Sequence, residues 1–287
     1  VCQNINAYLD GAGNTTIVAA DIDGGSTDNC GTVTLSASAT AFTCADLGPN
    51  NVTLTVNDAN GNTANCAAVV TVIDTISPTA WCQNINAYLD GAGNVSIVAA
   101  DIDGGSSDNC GAVTLSASAT AFTCANLGPN NVTLTVNDGN GNSANCVAVV
   151  TVIDAISPTA VCQNINAYID GAGSVTILAG DIDGGSTDNC GAIMLSIPAT
   201  TFTCANIGPN PVTLSMLDGA GNFASCVSTV TVIDTISPVI TCPGNQTENP
   251  DAGCNFTLPD YTSLVSSADN CGSTTITQSP SAGNIIS

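Results

Sequence analysis

The chain contains no lysine, no arginine and no histidine in 287 residues, set against 23 acidic residues, so its formal charge is −23. Ordinary domains are about one quarter charged, with both signs present. Each missing cation excludes chemistry. Without His or Lys there is no Ser-His-Asp triad, no Cys-His nucleophile, no Schiff base, no P-loop lysine and no histidine-ligated zinc. Without Lys there is no Lys-Asn isopeptide staple. Without Lys or Arg nothing neutralises phosphates, so nucleic acid is not an expected partner. Side-chain ion pairs cannot form, and the carboxylates must be hydrated, hydrogen-bonded or metal-bound. Aromatic residues are also scarce, at 3%. No apolar run approaches the ~18 residues of a membrane span, so membrane insertion is not expected. No signal-peptide pattern opens the sequence, and so regular an array reads as a segment of something longer. High charge and few aromatics favour disorder, but 44% hydrophobic residues and fifteen cysteines oppose it.

What is present is repetition. Cys2, Cys82, Cys162 and Cys242 are evenly spaced, and the same spacing separates Cys30, Cys110 and Cys190, then Cys44, Cys124 and Cys204, then Cys66, Cys146 and Cys226. So long a period does not fit a solenoid coil and suits a small β-domain. The expected domains are 1–77, 78–157, 158–237 and a partial, divergent fourth copy, 238–287. Period-2 alternation predicts strands over Asn4 to Leu9, Thr15 to Ala20, Val33 to Ala41, Asn51 to Asn57 and Cys66 to Ile73. Turn residues separate them, including Asp10-Gly11-Ala12-Gly13 and Asn60-Gly61. The reading is all-β, with tandem antiparallel β-sandwich domains. Linkers such as Asp74-Thr75-Ile76-Ser77-Pro78 are short and stiffened by proline. At about 30 Å per domain the array should be an extended rod.

Repeated cysteines indicate an oxidising compartment. Four per copy allow three pairings, which the sequence alone does not decide. The favoured set joins Cys30 to Cys44, closing the alternating segment as a hairpin, and Cys2 to Cys66. The counterparts are Cys110–Cys124, Cys82–Cys146, Cys190–Cys204 and Cys162–Cys226. Loop closure contributes roughly 3 kcal/mol for the short loop and about 4 kcal/mol for the long one.

The stretch Asp21-Ile22-Asp23-Gly24-Gly25-Ser26-Thr27-Asp28-Asn29-Cys30-Gly31 returns in every full copy and is too rich in glycine and oxygen for regular structure. Calcium wants several oxygen ligands, and the expected set is Asp21, Asp23 and Asp28, then Asp101, Asp103 and Asp108, then Asp181, Asp183 and Asp188. The bland reading of the same stretch is a solvated turn in which Asp and Asn bond their own backbone. Asp58-Ala59-Asn60-Gly61-Asn62 also has ligand types at alternate positions, but Ala220 replaces the middle one in the third copy, and the stretch reads as a hairpin turn. Linker residues Asp74, Asp154 and Asp234 could equally clamp calcium between neighbours or be plain linker polarity. Trp81 beside a linker reads as packing.

These motifs resemble the hyalin repeat, an immunoglobulin-like extracellular module. Asp74 and Pro78 open the second copy. Cys82, Asp108-Asn109-Cys110-Gly111, Phe122 and Gly128 follow, then Val132-Thr133, Asp138, Gly141-Asn142, Cys146 and Val150-Thr151-Val152-Ile153-Asp154. Departures are Cys44 and its equivalents, the Asp-Ile-Asp-Gly-Gly insertion, and Cys-Gln for Cys-Pro in three copies. The resemblance extends to giant surface adhesins of Bacteroidetes, the SprB type of gliding motility among them. It implies an immunoglobulin-like fold, type IX secretion, display at the cell surface, and no catalytic residues. It also suggests O-glycosylation at Thr75 and Thr235, each in Asp-Thr-Ile. Asn14, Asn51, Asn94, Asn131, Asn245 and Asn255 fit Asn-x-Ser/Thr.

The functional expectation is a non-enzymatic stalk of a secreted adhesin filament, stapled by disulfides and stiffened by calcium. Other parts of the full protein would contact the extracellular surface or glycan ligand. The alternatives are a calcium-dependent glycan-binding module, whose repetition would supply avidity, and self-association of repeats through exposed edges into a fibre or coat.

Overall fold

The computed structural model describes residues 1–198 and 200–286. They fall into two compact units, 1–154 and 155–287. The first copy holds six strands: β1 (Ile5–Tyr8), β2 (Asn14–Thr16), β3 (Thr34–Ala37), β4 (Ala41–Thr43), β5 (Gly48–Asn57) and β6 (Thr63–Ile73). Their equivalents recur one and two periods further on, the third counterpart of β3 being trimmed to Met194–Ser196. All are short except β5 and β6.

Alternation along β5 and β6 explains their pairing. Val52 and Leu54 on one strand and Ala68, Val70 and Val72 on the other are buried, while the intervening residues face outward. The two strands run antiparallel with Leu54 opposite Cys66. They form the centre of a four-stranded sheet in the order β1-β6-β5-β3. A second layer consists of the antiparallel pair β2–β4 and a 3-10 turn at Ala19–Ile22. It contributes Ile17, Ile22 and Phe42 to a core shared with the large sheet. Each full copy is therefore an all-β sandwich. One pair departs from the antiparallel expectation, because β1 lies parallel to β6, with Ile5 opposite Val70.

The alternating segment Val33 to Ala41 is not one strand. Ser38 still bonds β5, its N–H donating to the Thr53 carbonyl at 3.0 Å and its Oγ accepting from the Thr53 N–H at 2.9 Å. Two residues later the Thr40 carbonyl accepts from Ile17 in the other layer, at 2.8 Å. The chain changes sheet at Ala39. A period-2 pattern survives such a crossing, so the pattern alone does not reveal it.

That crossing overturns the Cys30–Cys44 hairpin bond. Cys30 and Cys44 are carried to different places, and Cys30 is exposed and free, with Cys242 and Cys254. Cys44 instead bonds Cys110 of the next copy, and Cys204 bonds Cys271. The expected pairs Cys110–Cys124 and Cys190–Cys204 fail for the same reason, since Cys110 and Cys204 are already engaged. Position 44 faces the following repeat, whereas position 110, the counterpart of Cys30, faces the preceding one. Cys2–Cys66, Cys82–Cys146 and Cys162–Cys226 form as expected.

The second unit holds the third sandwich and the partial copy. In the latter, Val239–Thr241 pairs with Ser266–Ala268, and Phe256–Thr257 pairs with Ile285–Ile286. Among the described residues, no helix is long and apolar enough to cross a membrane.

Candidate metal centre

The junction between the first two copies brings together side chains that lie far apart in sequence. Its first wall is the turn Asp10 to Asn14, where Asp10 Oδ1 accepts the N–H groups of Ala12 and Asn14, both at 2.9 Å. Gly13 closes that turn at φ +75°, and the Cys44 N–H donates to its carbonyl at 3.1 Å. A Cβ on Gly13 would sit 2.5 Å from Cys44 Sγ and 3.0 Å from the Asn109 carbonyl, so no larger residue fits beneath the Cys44–Cys110 bond.

The second wall is Asp108-Asn109-Cys110. Asp108 Oδ2 accepts the Cys110 N–H at 2.8 Å, the tight Asx turn expected of Asp-Asn-Cys-Gly. The Asn109 amide donates back across the junction to the Asp10 carbonyl at 3.3 Å and to Asp74 Oδ1 at 3.4 Å. The third wall is the hairpin turn after the second copy's long central strand. There Asp138 Oδ1 accepts the N–H groups of Asn140, Gly141 and Asn142, and Oδ2 accepts the Asn142 amide at 2.6 Å.

Linker residue Asp74 lies between these walls. Its Oδ1 accepts the Ile76 N–H at 3.0 Å. The Asn109 and Asn140 amides approach its carboxylate only at 3.4 and 3.5 Å, the far end of hydrogen-bond range, and the Asn142 amide donates to its backbone carbonyl at 3.3 Å. Asp74, Asp108 and Asp138 each present an oxygen within 4.8 Å of the others. Asp74 and Asp138 are only 5% and 6% exposed. Asp108 Oδ1, on one of these three carboxylates, and Asn109 Oδ1 are buried at this junction with no hydrogen-bond partner.

Such an arrangement is electrostatically expensive. Two full charges 4.8 Å apart repel by about 3.5 kcal/mol at an effective dielectric near 20. The chain has no Lys, Arg or His to offset this. Burial of Asp138 opposes its ionisation, but the Asn142 amide and the turn N–H groups outweigh it and hold its carboxyl below the ordinary value of 3.8. The donors are all hard oxygens, and Cys110 is tied in a disulfide. This chemistry suits a hard divalent cation such as calcium rather than zinc or copper.

Of the residues expected to bind metal, Asp108 joins this cluster and its neighbours in the acidic loop do not. Asp101 Oδ2 accepts the Val98 N–H at 2.7 Å, capping a 3-10 turn, as Asp21 and Asp181 do. Asp103 is bonded by the hydroxyl and N–H of Ser106, which keep its carboxyl below the ordinary range. Asp23 and Asp183 are held the same way by Ser26 and Ser186. Asp28 and Asp188 accept the N–H of Cys30 and Cys190. The bland reading of the loop therefore holds for its first two carboxylates. Asp138, read from sequence as a turn residue, is both a turn residue and a wall of the cluster. Thr75 and Thr235 are exposed.

At the junction of the third and fourth copies, Asn270 donates to the Asp170 carbonyl and to Asp234 Oδ1, each at 3.2 Å. Asp269 Oδ1 and Asn270 Oδ1 are again buried without a partner. A Cβ on Gly173 would lie 2.9 Å from the Asn270 carbonyl and 3.1 Å from Cys204 Sγ. The junction geometry is thus a repeated feature.

No protein-family model matches the chain. Hyalin of Strongylocentrotus purpuratus is 30% identical over 234 residues, which are 75% of this chain and 19% of hyalin, so the chain spans about a fifth of that relative's length. Among solved structures, a three-domain I-band fragment of titin aligns over 81% of this chain and 96% of its own, at 10% identity and a TM-score of 0.35. An extracellular fragment of protocadherin gammaB7 covers 88% and 76%, at 14% identity and 0.32. An endo-fucoidan hydrolase of glycoside hydrolase family 107 covers 78% and 39%, at 16% identity and 0.25. Scores this low carry no functional argument. The chain is similar to hyalin over three quarters of its length, and its copies are hyalin-repeat-like sandwiches.

Proposed function

We propose that the chain is a stretch of the repeat stalk of a secreted cell-surface adhesin, a non-catalytic spacer tied by disulfides and stiffened by calcium. Attachment or gliding motility is the service such a stalk would give, with type IX secretion as its route and other parts of the full protein making the ligand contact. The observation that supports this reading most is the covalent bonding of successive copies, Cys44 to Cys110 and Cys204 to Cys271. A short linker alone leaves a hinge between sandwiches, and a second tether removes most of its freedom. Bonds of this kind persist in oxidising surroundings, which supports a location outside the cell. The cluster of Asp74, Asp108 and Asp138 in a chain without cations supports calcium.

Small-angle scattering of the full oxidised chain tests the spacer role. End-to-end domains of about 30 Å each give a maximum dimension of roughly 100 Å that survives addition of reductant only in a broadened distribution. A compact particle of half that size would remove the stalk reading.

A second reading, a glycan-binding module, has one observation in its favour. A shallow cleft of about 650 Å³ beside the exposed Tyr8, with Gln3 and Asp21, recurs at about 700 Å³ beside Tyr88, with Gln83 and Asp101. Binding of the full chain to immobilised glycans that is lost in Tyr8→Ala and Tyr88→Ala would establish it; no binding would leave the spacer alone.

A further inference from the structure

We propose that calcium is bound at the junction of the first and second copies by Asp74, Asp108, Asn109 and Asp138, and that the acidic loop residues Asp101 and Asp103 take no part. This rests on the calcium-stiffened reading above and assigns its ligands.

Three observations carry the assignment. The carboxylates of Asp74, Asp108 and Asp138 converge within 4.8 Å, from a linker, a turn and a hairpin well separated in sequence. Asp108 Oδ1 and Asn109 Oδ1 are buried in the same junction with no protein donor to satisfy them. Buried acceptors are paired in nearly all cases, so an unpaired oxygen on Asp108 and another on the adjacent Asn109, within a group of three carboxylates, point to a cation. The Asn109 and Asn140 amides stand off the Asp74 carboxylate at 3.4 and 3.5 Å, and the Asn142 amide bonds Asp138 Oδ2 at 2.6 Å and reaches only the Asp74 backbone carbonyl, at 3.3 Å.

The consequence is mechanical. The ligands come from the linker and from two loops of the second copy, and Asn109 also touches the Asp10 carbonyl of the first. A cation held there fixes the linker against the sandwich it enters, and with the Cys44–Cys110 bond leaves the junction two restraints. Asp58, the first copy's counterpart of Asp138, makes the same turn bonds to Asn60 and Asn62 but is not buried.

The test is isothermal titration of the full oxidised chain with calcium chloride, repeated with magnesium chloride and checked by terbium luminescence. Wild type should bind calcium with Kd between about 10⁻⁴ and 10⁻³ M, as for extracellular sites, and magnesium more weakly. Asp108→Asn keeps the acceptor for the Cys110 N–H while removing the charge, and should lose one equivalent of calcium per chain. Asp74→Asn is the second variant, so that misfolding of one does not decide the matter, and far-UV circular dichroism checks both. Asp103→Asn should keep every equivalent. If wild type binds no calcium, both the calcium reading and this assignment are overturned. If wild type binds but Asp108→Asn and Asp74→Asn keep all equivalents while Asp103→Asn loses one, calcium stands and the assignment is overturned.

Discussion

Consider a load applied to the oxidised chain between Cys2 and Cys226. It enters the first sandwich at Cys2 and passes through the disulfide to Cys66, 64 residues on. The strands between carry none of it. The same holds from Cys82 to Cys146 and from Cys162 to Cys226, each again separated by 64 residues. At about 3.4 Å per extended residue each bond hides roughly 220 Å of chain, and the three together hide about 650 Å. Single-molecule pulling should therefore show an oxidised chain that barely lengthens and a reduced one that yields in steps of this size. The bond between copies makes a sharper prediction. In Cys2→Ser with Cys66→Ser, the load runs along the chain to Cys44, crosses to Cys110 and returns to Cys82, in place of the short run from Cys66 to Cys82. The gain in length is then about 180 Å rather than about 220 Å. Adding Cys44→Ser and Cys110→Ser restores the full gain. The full gain with Cys44 and Cys110 intact would refute the bond between copies, and a chain that lengthens freely without reductant would refute the disulfide frame altogether.

Alkylation of the native, unreduced chain followed by mass spectrometry should label three of the fifteen cysteines, Cys30 among them; protection of Cys30 would contradict its exposed, free state. Gly13→Ala places a Cβ 2.5 Å from Cys44 Sγ at φ +75° and should destabilise by about 1–3 kcal/mol, whereas Gly11→Ala, with nothing within 4 Å, should change the melting temperature little. Leu54→Ala empties a fully buried position and should lose about 2–5 kcal/mol in denaturant titration. Acid should destabilise the array. Asp103 and Asp183, each bonded by a serine, and Asp138 and Asp218 in their turns have folded pKa values below the unfolded 3.8, so the unfolded chain takes up protons first and stability falls as pH drops through that value. Melting curves from pH 6 to pH 2 should show a plateau and then a decline, made shallower by Ser106→Ala; a stability that rises toward pH 2 would reverse the sign of the argument.

Sequence by itself determined the repetition and the all-β character. The even spacing of cysteines, the Val-Thr alternation of the β5 counterparts and the absence of cations are local or countable properties, and a two-residue period needs no third dimension to be seen. The tie from Cys2 to Cys66 is one favoured pairing among the three that the sequence leaves open, and the folded sandwich holds it. Tertiary structure alone decided three matters. Whether Val33 to Ala41 stays in one sheet depends on which neighbour Ser38 and Thr40 find, and alternation is the same either way. Cys44 bonds Cys110 because one end of a sandwich abuts the next, a proximity that spacing along the chain cannot express. Asp74, Asp108 and Asp138 each have an adequate local role, in a linker, an Asx turn and a hairpin. Only the packing of the linker against the second sandwich brings them within 4.8 Å, because like charges are gathered by packing and covalent bonds rather than by any attraction of their own.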